Sequence, residues 1–352
     1  MAKKRDRIRR EATRDDVARL AGVSSAVVSY VVNDGPRPVA SATRVRVLEA
    51  IEKLGYRPNS AARSLITGRS RLLGLIVPDI ENPYFAGLAK AVENEAANRG
   101  LRLVLTECMP ENLQDLVDSL AGHQVDGIIT ATLPPRSLLA RASGVRIPMV
   151  KLSLALPLDP FPALWPDYHQ GTQKAVKHLI EVHGHTRVGL VTGGEILDVR
   201  ETAWREALES SDLVPGPVCR VPWSYEGGWA AARDIGMAGS SVTAVFVASD
   251  QQAAGLLAGL HRLGVRVPSD VAVASFDGAL SSGFTIPSLT TVSVPLADMA
   301  ADAVDELLGV SAANRTYPTT LILRESCGCG VGDRLDPGGT ATLDTQSTAT
   351  TS

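Results

Sequence analysis

The sequence is poor in several things that would mark familiar classes of protein. Aromatic side chains make up 4% of its 352 residues, and there are four cysteines and six histidines. Four cysteines (Cys108, Cys219, Cys327, Cys329) in a chain this long cannot form a disulfide framework. No apolar run approaches the roughly 18 residues of a membrane span. The amino terminus, MAKKRDRIRR, is charged with no apolar stretch behind it, and does not read as a secretory signal. There is no P-loop, and Gly189 with Gly193-Gly194 does not form a dinucleotide fingerprint. No nucleophile–base pair stands out, so neither catalytic residues nor a cofactor are expected. Cys327-Gly328-Cys329 supplies two thiols, too few for a structural zinc site, and His183-Gly184-His185 is not read as a metal site either. These absences exclude a disulfide scaffold and a membrane protein, and argue against an enzyme. The expectation is a soluble, cytoplasmic chain.

What is present is a large apolar content, 45% of residues, enough for sizeable cores, and a length that suits two or three domains. The net charge of −3 conceals an asymmetry. Residues 1–71 carry 16 Lys/Arg against 7 Asp/Glu, a balance of +9, while the remainder carries 19 against 31, a balance of −12. A basic segment attached to an acidic body suits phosphate contact by the segment alone.

The basic part contains TRDDVARLAGVSSAVVSYVVN, residues 13–33. Val17, Leu20 and Ala21 recur at helical spacing, and Thr13 with Asp16 three residues on resembles a capping box. Gly22 breaks the helix, and Ser24 is placed to cap a second one whose apolar face is Val27, Val28, Val31 and Val32. Ala18, Gly22 and Val28 are the types needed where two helices cross steeply over a short turn. The pattern is a helix-turn-helix, whose second helix enters the DNA major groove. A third helix is expected from about Ser41 to Leu54 with Val45, Leu48, Ile51 and Leu54 inward. From Leu72 onward, apolar strands (72–78, 101–106, 125–131, 147–152, 187–192, 243–248, 271–276) alternate with helices (84–99, 112–122, 169–182, 198–210, 226–236, 250–263, 296–308). That alternation predicts parallel sheets in two lobes, with a ligand cleft at the strand ends.

AGVSSAVVS, TRVRVLEAIEKLGYRPNSAARSL, VPDIENPYF, FVASDQQAAGLL, VAVASFDG and IPSLTTV together resemble the lactose repressor family over nearly the whole chain to about residue 330. The resemblance implies an α/β protein: an N-terminal three-helix helix-turn-helix headpiece followed by a two-lobed, periplasmic-binding-protein-like (type I) core of parallel sheets. The domains expected are a basic arm at 1–12, the headpiece at 13–57, a hinge helix and linker at 58–70, the effector-binding and dimerisation core at 71–330, and a Gly/Ser/Thr-rich tail at 331–352, read as disordered. It further implies a homodimer, with double-stranded operator DNA and a sugar-like small-molecule effector as partners, and a regulator that is usually a repressor. No leucine heptad follows the core, which favours a dimer over a tetramer.

The same resemblance implies DNA contacts at Thr13, Ser24, Ser25, Ala26, Ser29, Tyr30, Asn33 and Arg37, and at Asn59, Ala62 and Leu65 of the hinge. Leu65 matches the wedge that kinks the minor groove. Tyr30 stands where Arg is common and cannot read guanine bidentately, so the operator is this chain's own. Effector contacts are implied at Phe85, Arg200, Trp223, Asp250, Phe276 and Asp277. Two alternatives stand beside this: Arg200 and Asp277 as a lobe-bridging salt pair, and Asp250 as a helix cap. Val294 replaces a Gln that many sugar-binding members carry, removing one hydroxyl partner. Around His183-Gly184-His185 the chain has one residue more than the family usually has between Leu179 and that histidine.

Overall fold

The computed structural model describes residues 12–33, 35, 37–57, 68–132, 147–152, 161–194, 198–237, 242–310 and 314–330, with Asn33 described by its backbone only. The hinge residues Asn59, Ala62 and Leu65, most of the basic arm and the tail lie outside them. The chain forms two compact units, Met1–Ser70 and Arg71–Ser352.

The first unit is a three-helix cluster: α1 (Arg14–Ala21), α2 (Ser25–Asn33) and α3 (Ser41–Leu54). Thr13 and Asp16 do form a capping box. The Asp16 amide donates to the Thr13 hydroxyl oxygen at 3.3 Å, and the Thr13 amide donates to the Asp16 carboxylate at 3.0 Å. Gly22 ends α1 in the left-handed conformation, and the Ser24 hydroxyl accepts from the Val27 amide at 3.4 Å to start α2. The core is Val17, Ala18, Ala21, Val28, Val31, Val47 and Ala50. This corrects the expected phase of α3: Val45 is 52% and Leu48 48% exposed, and Leu54 is exposed as well. Leu20 of α1 is likewise exposed. In so small a cluster, α1 and α2 meet only a narrow stripe of α3, and Ala50 lets the helices approach where a Leu would hold them apart. The larger side chains fall on the rim.

The second unit contains two main sheets. One has the order β2-β1-β3-β4, from β1 (Leu72–Val77), β2 (Arg102–Glu107), β3 (Gly127–Thr130) and β4 (Met149–Lys151), all parallel. The other has the order β12-β10-β9-β8-β6-β7, from β6 (Val188–Thr192), β7 (Val218–Arg220), β8 (Ala244–Val247), β9 (Ala272–Asp277), β10 (Thr290–Ser293) and β12 (Thr320–Ile322). Its pairings are parallel except for β12 against β10. The connecting helices are α4 (Pro83–Asn98), α5 (Leu113–Gly122), α6 (Tyr168–Lys177), α7 (Val199–Glu209), α8 (Tyr225–Met237), α9 (Asp250–Arg262) and α10 (Leu296–Leu307). Central strands such as LLGLIV and AVFV are buried along nearly their whole length, as sheets covered on both faces require.

The chain passes between the two sheets three times: from β4 to α6, from β10 to α10, and from α10 to β12. α10 returns to the first sheet, where Leu296 packs beside Gly87 of α4 and Leu307 beside Gly127. A two-stranded parallel ribbon of β5 (Leu164–Pro166) and β11 (Arg315–Tyr317) lies on these connections. Each strand and helix expected from periodicity is found within two residues of its expected ends, with one exception. The helix expected over 169–182 ends as α-helix at Lys177, and His178–Val182 forms a π-helical turn. Strands β5, β7, β10, β11 and β12 were not expected.

Candidate effector site and nucleic-acid interface

The candidate effector site lies at the carboxyl ends of β6, β8 and β9. α7 starts with Asp198 as its cap, and the same carboxylate that accepts the Arg200 amide at 2.8 Å also grips the guanidinium. Arg200 Nε and one Nη donate to Asp198 at 2.9 and 2.8 Å, and the other Nη donates to the Ala248 carbonyl at 2.7 Å. A guanidinium has five N–H donors. Three are thus engaged, and two have no partner among the described residues. Burial alone would lower the Arg200 pKa, but the Asp198 carboxylate outweighs it and holds the pKa above its ordinary value.

Aromatic rings surround this cation, 4.7 Å away at Trp223, 5.1 Å at Tyr168 and 5.8 Å at Phe276, measured to the ring centroids. The Trp223 indole lies flat against Gly193, where a Cβ would come within 2.1 Å of the ring, so the strand end must be glycine for the wall to stand. Trp223 itself stays 37% exposed. Phe276 is fully buried behind Tyr168, with centroids 5.4 Å apart. It is backing for the wall rather than its surface.

Two buried carboxylates sit beside this group. The Asp250 carboxylate accepts from Ser275 Oγ (2.5 Å), Thr291 Oγ1 (2.6 Å) and the Ala279 amide (2.7 Å). Its amide donates to Asp277 at 3.2 Å. The α9 cap is Ser249, not Asp250: the Ser249 hydroxyl accepts from the Gln252 amide at 3.2 Å. Asp250 instead ties β9, β10 and the loop after β9 to the helix start. Asp277 carries the strain, at φ 121 in a region that non-glycine residues rarely occupy. Burial, and then the neighbouring Asp250, hold its pKa well above the carboxylate range, and burial pushes Asp250 up to about 6. Arg200 pairs with Asp198 rather than Asp277, and both Arg200 and Asp277 stand on the second sheet's lobe. The lobe-bridging salt pair is therefore not formed.

The first lobe contributes through the start of α4. Asn82 caps that helix, accepting from the Tyr84 amide at 3.0 Å, and Pro83 occupies its first turn. Phe85, expected to touch ligand, is half-buried and meets Tyr84 edge-on at 5.1 Å. Tyr84 is the residue the sequence reading missed. Its buried hydroxyl has no hydrogen-bond partner among the described residues. Burial, Tyr168 and Asp277 all raise its pKa, which places a polar group of the first lobe within electrostatic reach of the second lobe's acid. Lys151, at the end of β4, is fully buried, and burial pulls its pKa down to about 8. Gln251 Nε2 donates to Asp79 at 3.4 Å, joining the start of α9 to the loop after β1. Val294 is buried in the core.

In the first unit, α2 presents an exposed Ala26 and half-buried Ser25, Ser29 and Tyr30, with Ser24 exposed at its start. The Tyr30 carbonyl accepts from the Gly35 amide at 3.0 Å, and a Cβ on Gly35 would come within 2.5 Å of the Tyr30 ring. The loop therefore lies against the tyrosine ring. Arg37 is exposed beyond it. Thr13 is occupied by the capping box.

Comparison with known proteins joins the two units. Residues 13–59 match the lacI family of bacterial regulatory proteins, and residues 176–327 match a periplasmic binding protein-like domain. Catabolite control protein A of Streptococcus mutans is 35% identical over 299 residues, 82% of this chain and 88% of that protein. The ribose operon repressor of Bacillus subtilis is 34% identical over 305 residues, 85% and 91% of the two chains. The solved structure of the lac repressor dimer bound to operator and the anti-inducer ONPF matches with a TM-score of 0.80 at 27% identity, covering 90% of this chain and 99% of that one. A helix-turn-helix unit joined to a binding-protein-like core is the plan of a DNA-binding transcriptional regulator. The chain belongs to the LacI family of bacterial regulatory proteins. Among the described residues no helix is long and apolar enough to cross a membrane.

Proposed function

We propose that this regulator is a repressor that binds a roughly palindromic operator as a homodimer in the cytoplasm, without an enzymatic step. Its affinity is set by a small polyhydroxylated molecule, a sugar or nucleoside, held between the lobes of the core. The division into a headpiece at 13–57, a hinge at 58–70 and a core at 71–330 belongs to this proposal. Ser24, Ser25, Ala26, Ser29, Tyr30, Asn33 and Arg37 make the major-groove and phosphate contacts, and Leu65 the minor-groove wedge. Thr13 acts there chiefly through its cap.

One observation carries the effector half: a clamped guanidinium with unengaged donors, flanked by Trp223 and Tyr168, with the strained Asp277 and the unpartnered Tyr84 hydroxyl within electrostatic reach. Charged groups that bond adjacent hydroxyls, next to aromatic faces that stack on C–H surfaces, suit a sugar ring. The names of the ribose operon repressor and the lac repressor complex agree with that class. For the DNA half, one headpiece offers few base contacts, and a two-fold dimer doubles them.

Footprinting on operators selected from random DNA should protect two half-sites related by a dyad. Affinity should fall steeply with salt, by a slope of about −0.9 per phosphate neutralised. Full-affinity protection of one asymmetric half-site would contradict the proposal.

A further inference from the structure

Apart from the groups just described, the fold joins two motifs that are each too small to act alone. The π-helical turn His178–Val182 follows α6, and His183 ends it. In an α-helix, residues five apart do not share a face; the wider π turn brings them round toward one another, and such turns recur at functional sites. His178 and His183 are five apart, and their Nε2 atoms stand 3.1 Å from each other.

Into the same space comes the short 3-10 turn Glu325–Cys327. It is anchored by Ser326, whose buried hydroxyl donates to the Val273 carbonyl at 2.7 Å and accepts from the Thr290 amide at 2.8 Å. Gly328, at φ 102, turns the chain so that Cys329 faces the same way as Cys327. A Cβ there would also press on the His183 ring at 3.3 Å. Cys327 Sγ lies 3.6 Å from His178 Nε2, and Cys329 Sγ lies 3.4 Å from both His178 Nε2 and His183 Nε2. All four ligand atoms fall within 4.8 Å of one another.

Zinc bonds of about 2.3 Å to sulfur and 2.0–2.1 Å to nitrogen in a tetrahedron require edges of about 3.4 Å between nitrogens, about 3.6 Å between sulfur and nitrogen, and about 3.8 Å between sulfurs. The three sulfur–nitrogen spacings of 3.4–3.6 Å match these edges, the nitrogen–nitrogen spacing of 3.1 Å is slightly short, and the whole set lies within 4.8 Å. Two imidazole nitrogens facing each other at hydrogen-bond distance, with two thiols beside them, form a donor set for a soft or borderline cation rather than for calcium or magnesium. The Thr290 hydroxyl, 3.1 Å from Cys327 Sγ, can donate to a thiolate there.

We propose that His178, His183, Cys327 and Cys329 form a structural Zn²⁺ site that staples the end of α6 to the segment after β12. Four protein ligands leave no open position, so the ion is structural and not catalytic. Binding releases two thiol protons to solvent and leaves the Zn(Cys)₂(His)₂ centre neutral. This proposal stands independently of the effector site.

The test uses the full-length protein, purified under reductant without chelator. Elemental analysis should find about one zinc per chain after dialysis. Co²⁺ exchanged into the protein should give the visible bands of a tetrahedral ion and a thiolate charge-transfer band. Cys329→Ser and His183→Ala, both at partly exposed positions, should each weaken metal affinity by more than tenfold, the lower end of what loss of even an outer partner costs. Cys108→Ser, remote from the cluster, should leave affinity unchanged. Chelation should lower the melting temperature of the wild type and not of Cys329→Ser. Folded, reduced wild type that retains no zinc and gives no Co²⁺ bands would overturn the proposal. So would metal retained equally by both ligand variants, or a Cys327–Cys329 disulfide in protein prepared without oxidant, which would make the pair a redox couple.

Discussion

Tyr84 and Asp250 show how single side chains divide the labour of the cleft. The Tyr84 hydroxyl is buried without a partner among the described residues, an arrangement that costs free energy until something bonds it. A ligand hydroxyl would supply that bond. Tyr84→Phe should therefore weaken effector binding by about 1–1.5 kcal/mol, roughly fivefold to tenfold, while leaving the ligand-free melting temperature unchanged or slightly raised. Calorimetric titration of the variant checks this, and wild-type affinity would remove Tyr84 from the site. Asp250 does the opposite, with its oxygens saturated by Ser275, Thr291 and Ala279. Its folded pKa is raised from 3.8 to about 6 by burial, so the folded protein binds the proton more tightly than the unfolded chain does. The contribution to stability is full below about pH 4 and is lost as pH rises through about 6. Asp250→Asn should therefore gain stability relative to wild type as pH rises from 4 to 7. Denaturant unfolding at several pH values tests the sign, and a difference that does not change with pH would refute it.

At the scale of elements, periodicity made most of the architecture legible and missed what periodicity cannot carry. The long buried strands and amphipathic helices repeat often enough to be read. β5, β7, β11 and β12 are three residues each, and β10 is TTVS, a polar sequence whose threonines are nevertheless buried. β7 is a short edge strand on β6, and the pairing of the others is set by the chain's passages between the sheets, not by local pattern. The phase of α3 failed for a related reason: in a small cluster Ala50 is inside because it is small, while Val45 and Leu48 are outside although apolar. Arg200 and Asp277 were singled out only through resemblance to a family; the Asp198 clamp and the Tyr84 hydroxyl depend on side-chain directions that spacing does not give. The capping box was read correctly, and it makes its own prediction. Thr13→Ala should destabilise the headpiece by about 1 kcal/mol, and Thr13→Ser should restore it. Headpiece unfolding in the DNA-free protein is the measurement. Weakened operator binding with unchanged headpiece stability would make Thr13 a DNA contact and not a cap.

For the whole molecule, the charge asymmetry and the cleft fit one scheme. A basic segment, residues 1–71 with a balance of +9, approaches phosphates, while the acidic remainder, at −12, is repelled by them, so contact is confined to the basic segment. The core's own lobes meet through Gln251 and Asp79 and through the start of α4. On the proposed site, a ligand bridging Tyr84 and the Arg200–Asp277 group would favour one arrangement of the lobes. It can alter operator affinity only by its differential binding to the arrangements, typically about 1–3 kcal/mol. The most direct measurement is operator affinity at fixed salt, with and without candidate sugars and nucleosides, for wild type, Arg200→Ala and Asp277→Asn. The scheme predicts that one compound shifts wild-type affinity by about 5- to 150-fold. Both variants should bind operator as wild type does without ligand and should lose the shift. Variants that respond to that compound as fully as wild type would place the effector site elsewhere.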